Sequence, residues 1–374
     1  MDLESTFTRD EQEVVDGWSV VCGSLAERRD ELDAEGGVSA GSVREVGRAL
    51  ATDGWFDVAR PGTDLALEVT TLVGMAEAGG RPVVPVPHPV LETWLAVRLL
   101  AAADGPEAAD LLGAVLGGDL VVTVAVDALG GSAPAGTSGW IPWGPQADVV
   151  LVPVAAPDGT WSLHAVRTAE VALRPTSAVD LTGSGAWFPT GPVGPAEAAA
   201  AAGPPHPELG TALSTVEGGA ATGALATYLV LQAGEMVGSA DALLRATVAH
   251  LGQREQFGRR LATFQALQHR CADLFVSVET ARSLAYYAAW CVEVARDDAE
   301  EQAMMAKGYA GEAATRVGDD AIQLHGGHGF TWEGGLHFRV GRIIHRSLTA
   351  RSTRDCLVEG GRRALRRGRM LSLA

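Results

Sequence analysis

Residues suited to holding a phosphorylated ligand concentrate in two short segments of this 374-residue chain. The first is Arg254-Glu-Gln-Phe-Gly-Arg-Arg-Leu-Ala-Thr-Phe-Gln265. It lies where one long apolar-periodic segment ends and another begins. The chain is expected to turn at Gly258, where a positive φ costs little. Arg254 would then stand at a helix end as a fixed cation suited to a diphosphate. The second segment is Ala321-Ile-Gln-Leu-His-Gly-Gly-His-Gly-Phe-Thr-Trp-Glu333. Its glycines would end a helix and let backbone N–H groups approach a ligand closely. Taken singly, each has a plain counterpart: a helix hairpin with a surface arginine, and a glycine helix cap.

Long helices must position these segments. Leu225, Leu229, Met236, Val237, Ala240, Leu244, Val248 and Leu251 recur at three- and four-residue steps. Leu267, Cys271, Leu274, Val278, Ala281, Leu284 and Ala288 do the same, as do Ala303, Ala306, Ala310, Ala314, Val317, Ala321 and Leu324. With a fourth helix after about residue 336, they predict an antiparallel bundle. Residues 9–115 also read mainly as helices. Thr63-Asp64 is expected to cap one that Gly79-Gly80 ends, and Arg81–Pro89 carries too many prolines to be helical.

Between them the texture changes. Leu120–Val126 and Val149–Val154 are short β-branched runs, Trp161–Val166 alternates with period two, and Gly and Pro punctuate the rest. The expected organisation is a helical unit over 1–118, a small β unit over 119–193, an Ala- and Pro-rich surface connection over 194–212, and the bundle over 213–374. The fold class is therefore α+β.

A net charge of −17 argues against a nucleic-acid partner. The four cysteines form no C-x-x-C pair, so neither a zinc site nor a disulfide framework is expected, and no metal is assigned. The acidic N-terminus lacks the apolar stretch of a signal peptide, and no apolar run reaches membrane-spanning length. A cytoplasmic protein with no membrane partner is expected.

Together the two segments are far more specific than either alone. Arg254…Gln-Phe-Gly…Phe-Gln followed by Gln-Leu-His-Gly-Gly-x-Gly-Phe-Thr resembles the C-terminal domain of acyl-CoA dehydrogenases, over roughly 217–345. Asp53-Gly-Trp55, Ala76-Glu-Ala-Gly79 and Pro85-Val-Pro-His-Pro89 resemble the family's first helical domain. The resemblance implies a helical domain, a central β domain and a C-terminal four-helix bundle, assembled as a tetramer or a dimer of dimers. It implies FAD as cofactor. By that likeness Arg254, Gln256 and Phe257 would contact the FAD of the neighbouring subunit, and Gln323, Gly326 and Gly327 would border that neighbour's adenosine and diphosphate. The implied reaction is α,β-dehydrogenation of an acyl-CoA thioester, with electrons passed on to an electron-transfer acceptor. A carboxylate takes the α-proton from within about 3 Å while the β-hydride passes to the flavin.

Where that carboxylate belongs, the sequence departs from the family. An ungapped count from Gly326 places the usual glutamate at Ala350, and the alternative position on the first bundle helix falls on Tyr228. Glu217, Glu235 and Glu333 are the nearby acids, each also readable as a surface or structural charge, so the catalytic residue is left unassigned. The β region carries Thr123-Val-Ala-Val-Asp-Ala-Leu-Gly-Gly-Ser132, without the Thr-Glu-Pro that precedes Gly-Ser in the family.

Phe330-Thr-Trp-Glu333 and the Ala/Gly/Arg-rich chain resemble subunits of actinobacterial-type, heteromeric members acting on bulky steroid-like or side-chain CoA thioesters. The leading expectation is a base-lacking subunit of such a complex. The alternatives are a self-sufficient dehydrogenase, a non-catalytic FAD- or partner-binding homologue, and a related flavin oxidase or monooxygenase.

Overall fold

The computed structural model describes residues 7–27, 39–82, 88–126, 140–155, 160–171, 173–176, 179–180, 185–187 and 213–368. The expected connection over 194–212 lies outside them, as does the Gly-Ser end of the segment beginning at Thr123.

Helices α1 (Arg9–Glu27), α2 (Ala40–Thr52), α3 (Val69–Gly80), α4 (Val90–Ala101) and α5 (Pro106–Leu116) form the N-terminal unit. α3 starts later than the sequence suggests. Its N-cap is Glu68, while the Thr63 hydroxyl donates back to the Arg60 carbonyl inside a turn. Leu67 N–H bonds to the Val58 carbonyl, so the apolar residues before 69 belong to a folded-back loop rather than to a helix face.

Among the described residues seven strands follow: β1 (Val122–Val124), β2 (Trp140–Pro142), β3 (Val149–Ala155), β4 (Trp161–Arg167), β5 (Arg174–Thr176), β6 (Gly185–Trp187) and β7 (Ser214–Val216). One sheet has the order β1-β3-β4-β7, and a second has the order β2-β6-β5. β1 runs parallel to β3, and the other pairs are antiparallel. β3 explains why its sequence is a continuous apolar run. Val149 and Leu151 face the main helical core, while Val150 and Val152 face a small core with Ile141 of the second sheet. Both faces of the strand are therefore covered. β7 lies beyond 212, so the first sheet draws a strand from the far side of the expected connection.

The C-terminal unit is built from α6 (Gly218–Gln253), α7 (Gln265–Glu293) and α8 (Ala299–His325), followed by α9 (Leu336–Leu348) and α10 (Thr353–Arg366). The expected fourth helix is thus two. The chain breaks at Ala350, which is fully buried with φ +63°. Lys307, buried on α8, donates to the carbonyls of Thr349 and Arg351, and the Ser352 side chain caps α10 by accepting from Asp355 N–H. A cation thus satisfies acceptors that the helix break leaves open.

The N-terminal unit and the bundle meet backbone to backbone. A Cβ on Gly238 of α6 would lie 1.9 Å from the Glu77 carbonyl oxygen of α3, and one on Gly80 would lie 2.2 Å from the Glu235 carbonyl oxygen. Ser239 Oγ donates to the Gly80 carbonyl at 2.9 Å. This approach lets one apolar cluster run through Trp18, Trp94, Tyr228, Leu274 and Val317, with no boundary between the two units. Gly238→Ala is expected to cost about 3 kcal/mol, because rigid backbone must move. Gly223→Ala on the same helix meets nothing within 4 Å. It should stabilise by about 0.5–1 kcal/mol, and paired urea denaturation curves would show the opposite signs.

Candidate functional site

Two regions bear on function: a buried cleft between the units and an exposed face at one end of the bundle.

The cleft lies among α3, α4, α6 and α9. Arg346 of α9 sits at its centre. Its Nη1 donates to Glu92 Oε1 of α4 at 2.5 Å and its Nε donates to Glu235 Oε2 of α6 at 2.6 Å. The Tyr228 hydroxyl donates to the same Glu92 oxygen at 2.7 Å. Burial by itself would raise the Glu92 carboxyl, but Arg346 and the Tyr228 hydroxyl hold it below its ordinary value. Burial likewise opposes the charge on Arg346, and Glu235 and Glu92 outweigh it. Tyr228 is pushed well above its usual range, by burial first and then by the Glu92 carboxylate. It keeps its proton and cannot serve as a base.

The remaining void is about 60 Å³, bordered by Trp18, Trp94, Trp143, His88, His345 and Arg342 among others. That is room for a few waters, whereas ligand pockets usually occupy about 300–1,000 Å³. Burial drives His88 down to about 3. His345 falls to about 4, through burial and the charge on Arg346. Both imidazoles are neutral at physiological pH.

Of the acids flagged in the sequence, Glu235 alone borders this void. Its carboxylate is engaged by Arg346. Glu217 is the exposed N-cap residue of α6, and Glu333 is exposed beyond the glycine segment. Trp143 borders the void, Trp140 is buried against Trp187 and His345, and Trp332 is 56% exposed.

Sequence reasoning missed Glu92, Arg342 and Arg346 because their partners lie far away along the chain. Arg346 and Glu92 are 254 positions apart. One signal was available: Glu92 is the lone acid in the otherwise apolar run Val90-Leu-Glu-Thr-Trp-Leu-Ala-Val97.

The exposed face contains both phosphate-type segments, brought together by the ends of α6 and α8. His250, in the last turn of α6, stacks on His325, the last residue of α8, with ring centroids 4.3 Å apart. Arg254 is the C-cap of α6, and Gly326 with φ +60° is the C-cap of α8. All six residues singled out in the sequence, Arg254, Gln256, Phe257, Gln323, Gly326 and Gly327, are exposed.

Between α6 and α7 the chain makes the hairpin β8 (Glu255–Gln256) and β9 (Arg259–Arg260). Phe257 at φ +56° and Gly258 at φ +76° form its two-residue loop. Two successive positive φ angles define a type I′ turn, which favours Asn-Gly. Phe257 occupies the strained position and leaves its ring 88% exposed. Strain of this kind tends to collect at functional sites.

The glycines divide by role. A Cβ on Gly329 would meet the Ile322 carbonyl oxygen at 2.6 Å, so packing explains that glycine. A Cβ on Gly327 would meet nothing within 4 Å, and its φ lies outside the positive range. Neither packing nor backbone conformation among the described residues requires glycine there, so what it leaves is backbone open to approach from outside.

The residues from 219 to 366 match the family model for the acyl-CoA dehydrogenase C-terminal domain. The acyl-CoA dehydrogenase FadE34 of Mycobacterium tuberculosis is 31% identical over 350 residues, covering 88% of this chain and 44% of FadE34. IpdE2 of Mycolicibacterium smegmatis is 39% identical over 107 residues, covering 29% of this chain and 32% of IpdE2. The chain thus spans less than half the length of the curated relatives it matches. Among solved structures, a variant of the Tcur3481–Tcur3483 steroid ACAD superimposes with a TM-score of 0.78 at 25% identity, covering 94% of this chain and 96% of that one. The ChsE4–ChsE5 complex of Mycobacterium tuberculosis gives 0.78 at 23% identity, covering 97% and 98%. Residues 219–366 are thus an acyl-CoA dehydrogenase C-terminal domain, and the chain has the three-part fold of solved members of that family.

Two outcomes follow from this geometry. Arg346→Met should lose about 3–5 kcal/mol at neutral pH, because two buried carboxylates lose their counter-charge. Glu92 titrates below its unfolded value, so its stabilisation is present at neutral pH and is lost as pH falls through that lowered pKa. The gap between wild type and variant, read from urea midpoints, should therefore shrink on acidification. Phe257→Asn should raise stability by about 1 kcal/mol by fitting the turn, as measured by thermal melting.

Proposed function

We propose that this chain is a subunit of an FAD-dependent acyl-CoA dehydrogenase assembly that lends cofactor contacts to a neighbouring subunit and does not oxidise substrate in its own cleft. The observation that carries this reading is the contrast between its two regions. The cleft holds the buried Arg346–Glu92–Tyr228–Glu235 cluster, beside a partly open void of about 60 Å³. The outward face keeps a cation, two open glycine positions and an exposed aromatic ring.

This chain's residues suit FAD. Arg254 would neutralise the diphosphate, the backbone N–H groups at Gly326 and Gly327 would donate to it, and Gln256, Gln323 and the Phe257 ring would border the rest. Bound flavin supplies hydride acceptance from the β-carbon of the thioester. Removal of the α-proton needs a free carboxylate, and here the acids at the cleft face cations: Glu92 and Glu235 are held by Arg346, Asp180 on the same wall lies in the field of Arg342, and Tyr228 keeps its proton. The carboxylate is therefore assigned to the partner subunit.

The relatives support a mixed assembly. ChsE4–ChsE5 is a complex of two differently named chains, and the Tcur3481–Tcur3483 protein is described as a steroid ACAD. We take the substrate class to be a CoA thioester with a bulky, steroid-like or side-chain acyl group, bound in the partner. A second reading keeps catalysis here with Glu235 as base, favoured by its place on the wall of the void. The Arg346 contact at 2.6 Å opposes it.

Native mass spectrometry of the chain, alone and co-expressed with a second family member, tests the proposal. Alone it should retain little FAD, and the mixed assembly should be yellow and active. Arg254→Ala should weaken FAD retention in that assembly about 10- to 100-fold, the loss of a charge-assisted contact. Glu235→Gln should lower stability, because it weakens the buried pair with Arg346, but leave the activity per bound FAD of the folded assembly unchanged. A homo-oligomer holding stoichiometric FAD and oxidising acyl-CoAs would overturn the proposal.

A further inference from the structure

The stacked histidines at the junction of α6 and α8 have no part in the reading above. His250 lies against His325, their planes 27° apart, and against His328 of the following 3₁₀ turn at 6.1 Å and 12°. His325 is 6.3 Å from His328. The His325 Nδ1 group donates to the Ala321 carbonyl at 2.8 Å, since a carbonyl can only accept. Its proton is therefore placed on Nδ1, and Nε2 gains a donor only when the ring is charged. The rings do not converge on a metal-holding arrangement among the described residues.

The charge environment has one sign. The groups that act on His250 are His325, His328 and Arg254, and the titratable group that acts on His325 is His328. Nearby acids on the packed elements are committed elsewhere: Asp320 of α8 to Arg270 of α7, and Glu255 of the hairpin to Arg260. In a chain of net charge −17, this is a local patch of cations and potential cations, with no carboxylate among the described residues acting on the His250 and His325 rings. Burial, then the mutual repulsion of the rings, pulls His250 below its ordinary value, and burial does the same for His325. Both are thus neutral and stacked near pH 7. A bound polyanion reverses that balance, because each ring that takes up a proton becomes a cationic donor beside it.

We infer that His250, His325 and His328 are phosphate-binding residues of the same cradle as Arg254, and that a diphosphate binds there together with protons drawn from solvent. The inference rests on reading this face as the cofactor edge, and adds to it three residues and a pH dependence. The sign follows from linkage. Protons are taken up between the pKa values of the free and the anion-bound rings, so affinity falls as pH rises through that window.

The test is calorimetric titration with pyrophosphate and with FAD, on the chain alone and on the assembled complex. It is run at pH 6 and pH 8, in buffers of different ionisation enthalpy. The expected result is net proton uptake and binding about fivefold or more tighter at pH 6, against a ceiling of about tenfold per pH unit per proton. His328→Gln alters an exposed side chain and leaves folding intact. Combined with His250→Gln it should weaken the pH dependence and cut proton uptake to what His325 alone supplies. Arg254→Ala should weaken binding at both pH values but keep the slope. Binding of either probe with no proton uptake, unchanged in the histidine variants, would overturn this inference and leave the cofactor reading standing. No binding of either probe at either pH, with or without the partner, would remove both.

Discussion

Arg346 is the side chain on which both the stability and the character of the molecule turn. It is a buried guanidinium held between a carboxylate of the N-terminal unit and one of the bundle. A cluster of this kind is costly to bury and is tolerable only when every member is matched. Its consequences reach outward. Glu92 is anchored in α4, Glu235 sits one turn from the backbone crossing at Gly238, and Tyr228 packs into the shared core. The charge balance that keeps the units together also forms one wall of the cleft, through Glu235 and Arg346.

The exposed end of the bundle follows a different logic. Its features do not improve the chain that carries them: a phenylalanine in a turn position suited to asparagine, a glycine that packs against nothing, and stacked histidines that no carboxylate among the described residues offsets. Local rules broken without a compensating gain inside the chain usually mark a surface completed by something else. The two regions divide the molecule into an inner part made self-sufficient and an outer part left incomplete. A subunit that contributes to a neighbour's cofactor would have this form.

Much of the architecture was legible because it depends on short-range rules. The bundle helices follow from three- and four-residue apolar steps. The strand over 149–155 follows from a β-branched run, and the turn at Gly258 from the chemistry of one residue. The errors also have physical causes. Thr63-Asp64 has the residue types of a helix cap, but the backbone there folds back on Val58 and the hydroxyl finds a loop carbonyl. The last helix of the bundle splits because Ala350 takes a left-handed conformation, stabilised by a lysine from another helix. Neither event leaves a local trace.

The sequence alone carried the family likeness, the helical and β segments, and the two segments of a type suited to phosphate, and in an ungapped count it offered no glutamate at the family's positions. Those depend on residue identity and spacing along a few turns of chain. Tertiary structure decided that a buried charge cluster borders the cleft, that Glu235 is engaged by Arg346, and that three histidines share one face with Arg254. Each of these depends on side chains from separate helices meeting in space. Electrostatic energy depends on distance and burial, and neither can be read from separation along the chain.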